Sequence, residues 1–120
     1  MKRITLVLAT LLLSCSNGEK EYLITAENYT NNLLKGQLEK AKEFMTESTA
    51  KLIEQSFKFK KQKIYPNFEF KVIKDSISKN EAWIKFTDKN NSKRTDKIYL
   101  IKVNEKWLVH IDNTKLKSFR

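Results

Sequence analysis

The sequence predicts a single α+β domain in which N-terminal helices pack on a four-stranded antiparallel sheet. Between residues 22 and 57, apolar residues recur at spacings of three and four, which is typical of amphipathic helices. After Pro66, the only proline, apolar residues alternate with polar ones, which is typical of half-buried strands. Because the helices come first and the strands follow as a group, the order favours an α+β fold.

The helical region divides into three segments, or into two with a broken second. Their apolar stripes are Ala26, Tyr29, Leu33 and Leu34; Leu38, Ala41, Phe44 and Met45; and Leu52, Ile53 and Phe57. We expect Gly36 to end the first segment, because glycine is common just after a helix. The second segment then begins near Gln37, and the third after Ser48 or Thr49.

The first two strands are predicted from alternation at residues 68–72 and 82–86. The stretch "SISKN", residues 76–80, is expected to form the turn between them. The polar run "DKNNSKR", residues 88–94, is expected to form a flexible hairpin tip before the third strand.

The closing hairpin allows a prediction of register. The strands "KIYLIKV" and "KWLVHID" flank Asn104 and Glu105, which we expect to form a two-residue primed turn. The predicted facing pairs are Val103 with Lys106, Ile101 with Leu108, Tyr99 with His110 and Lys97 with Asp112 on one face, and Lys102 with Trp107, Leu100 with Val109 and Ile98 with Ile111 on the other. Since both faces are partly apolar, one covers the helices and the other needs a second cover.

That second face is the candidate site for a ligand or a partner. It comprises Trp83, Tyr99, Ile101, Leu108, His110 and Asp112. An apolar sheet face that the helices do not cover indicates a pocket wall, a protein interface or a homodimer contact. The alternative is a C-terminal segment or tether that folds back over this face, and the sequence leaves open which face is concave.

The N-terminus has the pattern of an export signal. A basic pair precedes the apolar run at residues 4–13, which would span only about 15 Å as a helix, too short for a hydrocarbon core about 30 Å thick. Residues 1–14 are therefore interpreted as a signal peptide and excluded from the fold. "LLSC", ending at Cys15, resembles the lipobox of bacterial lipoproteins, in which the cysteine is acylated and becomes the first residue.

This interpretation divides the chain into a signal peptide at 1–14, a lipidated Cys15 with its tether at 15–21, and a folded domain at 22–120. Acyl chains on Cys15 would hold the protein firmly at a membrane. Because Cys15 is the only cysteine, the domain has no disulfide to support it. The expected location is the bacterial outer membrane, on either its periplasmic face or the cell surface.

Two stretches carry a resemblance to a known group of proteins. "AENYTNNLLKGQLEKAKEFM" and "IYLIKVNEKWLVHID" resemble the opening helix and closing strands of small bacterial lipoproteins with a lumazine-binding-like domain of unknown function. These belong to the nuclear-transport-factor-2-like, or cystatin-like, superfamily. The resemblance implies a curved sheet wrapped on helices, often with a cone-shaped cavity, and it implies no settled activity.

The charge balance is strongly basic, with 24 lysines and arginines against 14 acidic residues. The excess falls in three clusters: Lys58, Lys60, Lys61 and Lys63; Lys89, Lys93, Arg94 and Lys97; and Lys115, Lys117 and Arg120. Such clusters either attract anionic partners or simply lie on solvated faces. No recognisable nucleic-acid-binding module accompanies them, so nucleic acid is not an expected partner.

The residues available for catalysis are few. His110 is the only histidine, and the predicted register places it opposite Tyr99, with Asp112 on the same face. Neither spaced histidines nor free thiols indicate a metal site, and no glycine loop indicates a nucleotide cofactor. We therefore expect a non-catalytic, membrane-anchored binding or interaction module, which would hold a small ligand, an envelope polymer or another protein. The alternatives are a small isomerase-like or hydrolase-like enzyme using His110, and an immunity-type or structural lipoprotein that binds an acidic partner.

Overall fold

The computed structural model describes residues 21–119 and confirms the predicted α+β class. Its elements are α1 (Glu21–Leu34), α2 (Leu38–Ala41) continued by a 3-10 turn (Lys42–Phe44), α3 (Glu47–Phe59), β1 (Phe70–Ser78), β2 (Glu81–Asp88), β3 (Asn91–Val103), β4 (Lys106–Val109) and α4 (Asn113–Ser118). The predicted signal peptide and Cys15 lie outside the described residues. Within 21–119, no helix has the length and apolarity needed to cross a membrane.

The three helical segments follow the predicted order. Gly36 has a φ of +80°, the left-handed conformation that ends α1. α3 was predicted to begin after Ser48 or Thr49, two or three residues later than its observed start at Glu47. Thr46 is the N-cap, and its hydroxyl accepts the backbone N–H of Thr49.

The sheet is an antiparallel meander in the order β1-β2-β3-β4. The predicted register of the closing hairpin is confirmed up to Val109, since Ile101 faces Leu108 and Leu100 faces Val109. Because β4 ends at Val109, the predicted strand pairs of Ile98 with Ile111 and of Lys97 with Asp112 do not form. Asn104 and Glu105 have φ values of 52° and 65°, as a primed two-residue turn requires.

The other two connections differ from the prediction. β1 continues to Ser78, so the turn at 76–80 shrinks to Lys79 and Asn80. The predicted hairpin between β2 and β3 is confirmed, but its tip shrinks from 88–94 to Lys89 and Asn90. The buried Asp88 carboxylate holds this tip by accepting the backbone N–H groups of Glu69 and Asn90. Arg94 closes this corner with a 2.7 Å ion pair to the same carboxylate.

The two faces of the sheet have different neighbours. The face toward α1, here called the inner face, carries the buried core residues Ala82, Ile84, Phe86, Ile98, Leu100, Trp107 and Val109. The opposite, outer face carries Trp83 and Tyr99, which face each other across β2 and β3. α4 packs over this outer face, where the indole N–H of Trp83 donates to the Lys115 carbonyl at 3.1 Å.

Candidate functional site

A cavity of about 330 Å³ lies between α1 and the inner face. Most of its lining is apolar: Tyr29, Leu33, Leu34, Tyr65, Phe68, Phe86 and Ile98. These residues come from the α1 stripe, the connection before β1, and alternate positions of β2 and β3. Pockets built in this way commonly hold a small molecule with an apolar body.

The rest of the lining is polar or charged: Thr30, Lys93, Arg94, Thr95, Asp96 and Lys97. The Thr30 hydroxyl is buried and has no hydrogen-bond partner among the described residues. Burial, and then the nearby Asp96 carboxylate, raise the pKa of Tyr29 to about 12, so its phenol stays protonated at neutral pH. Thr30 and Tyr29 therefore offer hydroxyl groups to a ligand inside the cavity.

Arg94 lies at the mouth of this cavity in a fixed orientation. One of its nitrogens pairs with Asp88, and the guanidinium lies 4.0 Å above the centre of the Tyr65 ring. Burial alone would raise the pKa of Asp88, but the N–H groups of Asn90 and Glu69 and the Arg94 charge outweigh it, so this pKa lies below its usual value. Asp88 thus stays ionised and holds Arg94 in place.

The residues of the predicted outer-face site lie on one face of the sheet, and the C-terminal segment partly covers them. The rings of Trp83 and Tyr99 lie 5.4 Å apart, and Phe119 stacks on Trp83 at 6.5 Å. Lys115 makes a 2.9 Å ion pair with Glu81 across the same face. The alternative in which a C-terminal segment folds back over this face is therefore the one that the structure shows.

The predicted catalytic residues do not form a joined constellation. His110 pairs with Tyr99 in register, its backbone N–H donating to the Tyr99 carbonyl at 2.9 Å, but its ring nitrogen Nδ1 lies 2.9 Å from the Thr46 hydroxyl. The Tyr99 hydroxyl donates to Glu81 instead. Asp112 caps α4 through Thr114, and the ion pairs within 21–119 do not include one between Asp112 and Lys97.

None of these three residues lines the inner cavity. Ile101 and Leu108 are half-buried on the outer face, beside Tyr99 and His110. Within the described part of the chain, no three His, Cys, Asp or Glu side chains lie close enough together to hold a metal ion.

Sequence reasoning missed the polar groups of the cavity. Thr30 lies among the apolar residues of the α1 stripe, and a hydroxyl at such a position was a readable signal. Arg94 was assigned only to a basic cluster, and Asp96 carried no signal at all. Their convergence depends on the pairing of β2 with β3, where Asp96 faces Phe86.

No protein-family model matches the chain, and no curated protein matches it. A crystal structure that resembles it is that of a Campylobacter jejuni protein, provisionally named an NTF2-like transpeptidase. The two share a TM-score of 0.53 and 21% identity, over 72% of this chain and 94% of that one. The chain has the NTF2-like fold. The inner cavity lies between α1 and the sheet, and the outer face lies on the other side of the sheet.

Proposed function

We propose that this chain is a lipid-anchored, non-catalytic binding module of the bacterial envelope. Its inner cavity would hold a small ligand with an apolar body and an anionic end. The proposal includes acylation of Cys15 and membership of the lipoprotein group with a lumazine-binding-like domain. The observation that carries the binding function is the 330 Å³ cavity, whose apolar lining opens beside Arg94.

The chemistry of the cavity supports an anionic end. Arg94 has five N–H donors, and its single ion pair with Asp88 leaves others to meet a carboxylate, sulfonate or phosphate. The apolar body would lie against Leu33, Phe86 and Ile98. The unpartnered Thr30 hydroxyl would gain a partner when a polar ligand atom reaches it.

The same geometry argues for binding over group transfer. A transpeptidase, as in the name of the Campylobacter protein, needs an activated nucleophile. Thr30 is the hydroxyl nucleophile candidate in the deep part of the cavity, and no described residue accepts its proton. The phenol of Tyr29, with a pKa of about 12, acts as a hydrogen-bond donor and not as a base at neutral pH.

The binding test uses 1-anilinonaphthalene-8-sulfonate, a probe with an aromatic body and one sulfonate. We expect saturable enhancement of probe emission with one site per chain. Leu33→Trp, which fills the cavity, should weaken probe affinity at least tenfold. Ile24→Trp is the matched control, because Ile24 lies on the same helix but is 52% exposed, and it should leave affinity unchanged. Equal affinity in both variants would remove the cavity as the site.

The anchor is tested separately, by intact mass spectrometry of the protein extracted from native membranes. We expect a species that starts at Cys15 and carries acyl mass. Protease treatment of whole cells then distinguishes a surface domain, which is digested, from a periplasmic one, which is protected. An unmodified chain cut elsewhere would overturn the anchor and leave the cavity experiment intact.

A further inference from the structure

Three lysines face each other in a row across three strands of the outer face. Lys74 of β1 is the register partner of Lys85 of β2, and Lys85 is the partner of Lys97 of β3. Ile84, beside Lys85 in sequence, is fully buried on the inner face, so Lys85 points outward. Lys74 confirms this placement, since its ammonium lies 5.0 Å from the centre of the Phe119 ring. We call these three residues the lysine row.

The placement of three ammonium groups side by side costs stability through repulsion. Adjacent strands lie about 4.8 Å apart, and like charges directly opposite each other are destabilising. The ion pairs found within residues 21–119 include none of the three lysines. Of the acids nearby, Glu81 is paired with Lys115, and Asp96 accepts the backbone N–H of Lys97 without an ion pair to its ammonium.

The row borders a groove against α4. The groove has a volume of about 330 Å³, and Lys85, Lys97 and Lys117 line it together with Asn113 and Leu116. Asp96 is the one acid in its lining. An excess of ammonium groups around a shallow groove fits phosphate oxygens, which accept several hydrogen bonds from lysines at once.

The path of the chain points to a membrane as the source of these phosphates. Tyr22, near the start of α1, donates a hydrogen bond to Asp75, the neighbour of Lys74. Asp75 is the partner of Ile84 and faces the inner side of the sheet, so α1 begins on that side, next to the edge strand β1. The tether would pass this edge to bring the row to a membrane. Cys15 and Glu21 are six residues apart, so the tether spans at most about 21 Å. A domain held so close to a lipid surface presents its basic faces within a few Debye lengths of the headgroups.

We propose that the lysine row and Lys117 bind the phosphate groups of anionic lipids and dock the outer face on the membrane. This orientation rests on the proposed acylation of Cys15 for its proximity, but the row's affinity for anionic lipid does not depend on the acyl chains. The inner cavity lies on the opposite side of the sheet and would then remain open to ligand.

The first experiment measures the rate at which each lysine is acetylated in the acylated protein reconstituted into vesicles. We expect Lys74, Lys85 and Lys97 to react at least threefold more slowly in vesicles containing phosphatidylglycerol than in pure phosphatidylcholine. Lys58 and Lys60, which are exposed at the end of α3, are internal controls and should react equally in both. High salt should abolish the protection. Equal rates for the row in both vesicles, or equal protection of Lys58 and Lys60, would overturn the proposal.

Two further measurements distinguish binding to lipid from binding to a soluble anion, and from attachment through the acyl chains. Inorganic phosphate added to the phosphatidylcholine sample should leave the row unprotected, whereas protection would assign the groove to a soluble anion and overturn docking. A Cys15→Ser chain should cosediment with phosphatidylglycerol vesicles. Combined Lys74→Gln, Lys85→Gln and Lys97→Gln changes should weaken that binding by about a hundredfold. Matched changes at Lys58, Lys60 and Lys61 should weaken vesicle binding far less. An equal loss of binding would mean that the protein binds through its overall positive charge and not through the row.

Discussion

The two faces of the sheet are covered in opposite ways. A 14-residue helix covers the inner face, and residues such as Ile84 and Leu100 are fully buried beneath it. A six-residue helix covers part of the outer face, held there by the Trp83 hydrogen bond and the Lys115 ion pair with Glu81. This difference shows that the inner face supplies most of the buried apolar core. The outer face is less buried and can therefore carry charged residues that do not stabilise the fold.

The largest expected effect comes from shortening an apolar side chain at two consecutive positions of β3, one on each face of the sheet. Leu100→Ala should lower the free energy of unfolding by about 2–5 kcal/mol, because it leaves a void in the inner core. Ile101→Ala, one residue along and half-buried on the outer face, should cost less than half as much. Urea denaturation of both variants checks this, and equal losses would mean that the two faces contribute alike to the core.

The corner of β2 should show the next largest effect. Asp88→Asn removes the charge that holds Arg94, although an amide oxygen still accepts one N–H, so we expect a lower melting temperature at neutral pH. The pKa of Asp88 in the folded protein is below its usual value, so its stabilisation is complete above the unfolded-state pKa of about 3.9. That stabilisation is lost as pH falls through the lower folded-state pKa.

Melting curves between pH 2 and pH 7 test this sign. The gap between wild type and Asp88→Asn should be constant near neutrality and should close in acid. Glu69→Gln is the control, because Glu69 is exposed in the same corner and its side chain makes no hydrogen bond among those found. A gap that persists at pH 2 would assign the effect to packing and not to charge.

The parts that the sequence predicted are those set by local chemistry. The register of β3 with β4 follows from Asn104 and Glu105 and from strict alternation, so it needed no tertiary information. α4 was missed because six residues do not form a stable helix alone, and its stability comes from Trp83 and from the Asp112 cap. An aspartate at a helix N-cap was the one local signal.

At 88–94 the hairpin was predicted, but its hydrogen bonding to a distant residue was not, for a related reason. Its composition is typical of a mobile turn, but the buried carboxylate of Asp88 accepts a hydrogen bond from the backbone N–H of Glu69, 19 residues earlier. The cavity could not be predicted from the sequence either, because it forms where Tyr29 of α1 lies near Asp96 of β3. Patterns among neighbouring residues in the sequence do not reveal tertiary contacts of this kind.

Two buried threonines should respond to the same substitution with opposite signs. Thr30→Val should raise the free energy of unfolding by about 1 kcal/mol, because its hydroxyl is buried without a partner. Thr49→Val should lower it by a similar amount, because the Thr49 hydroxyl accepts the Ile111 N–H at 2.9 Å. Denaturation of both variants tests this, and Thr30→Val should also weaken binding of a polar ligand. Losses of equal size would show that the Thr30 hydroxyl already has a partner in solution.

The smallest effect should appear at the centre of the lysine row. Lys85→Gln relieves repulsion from both Lys74 and Lys97, so we expect it to raise stability by about 0.2–1 kcal/mol at low salt. The gain should shrink at high salt, because screening already weakens the repulsion in the wild type. Lys51→Gln, on an exposed turn of α3, should show no such gain. If Lys85→Gln is more stable but binds anionic vesicles less well, then Lys85 serves membrane binding and not the fold. If Lys85→Gln is less stable, contacts within the domain hold the row in place.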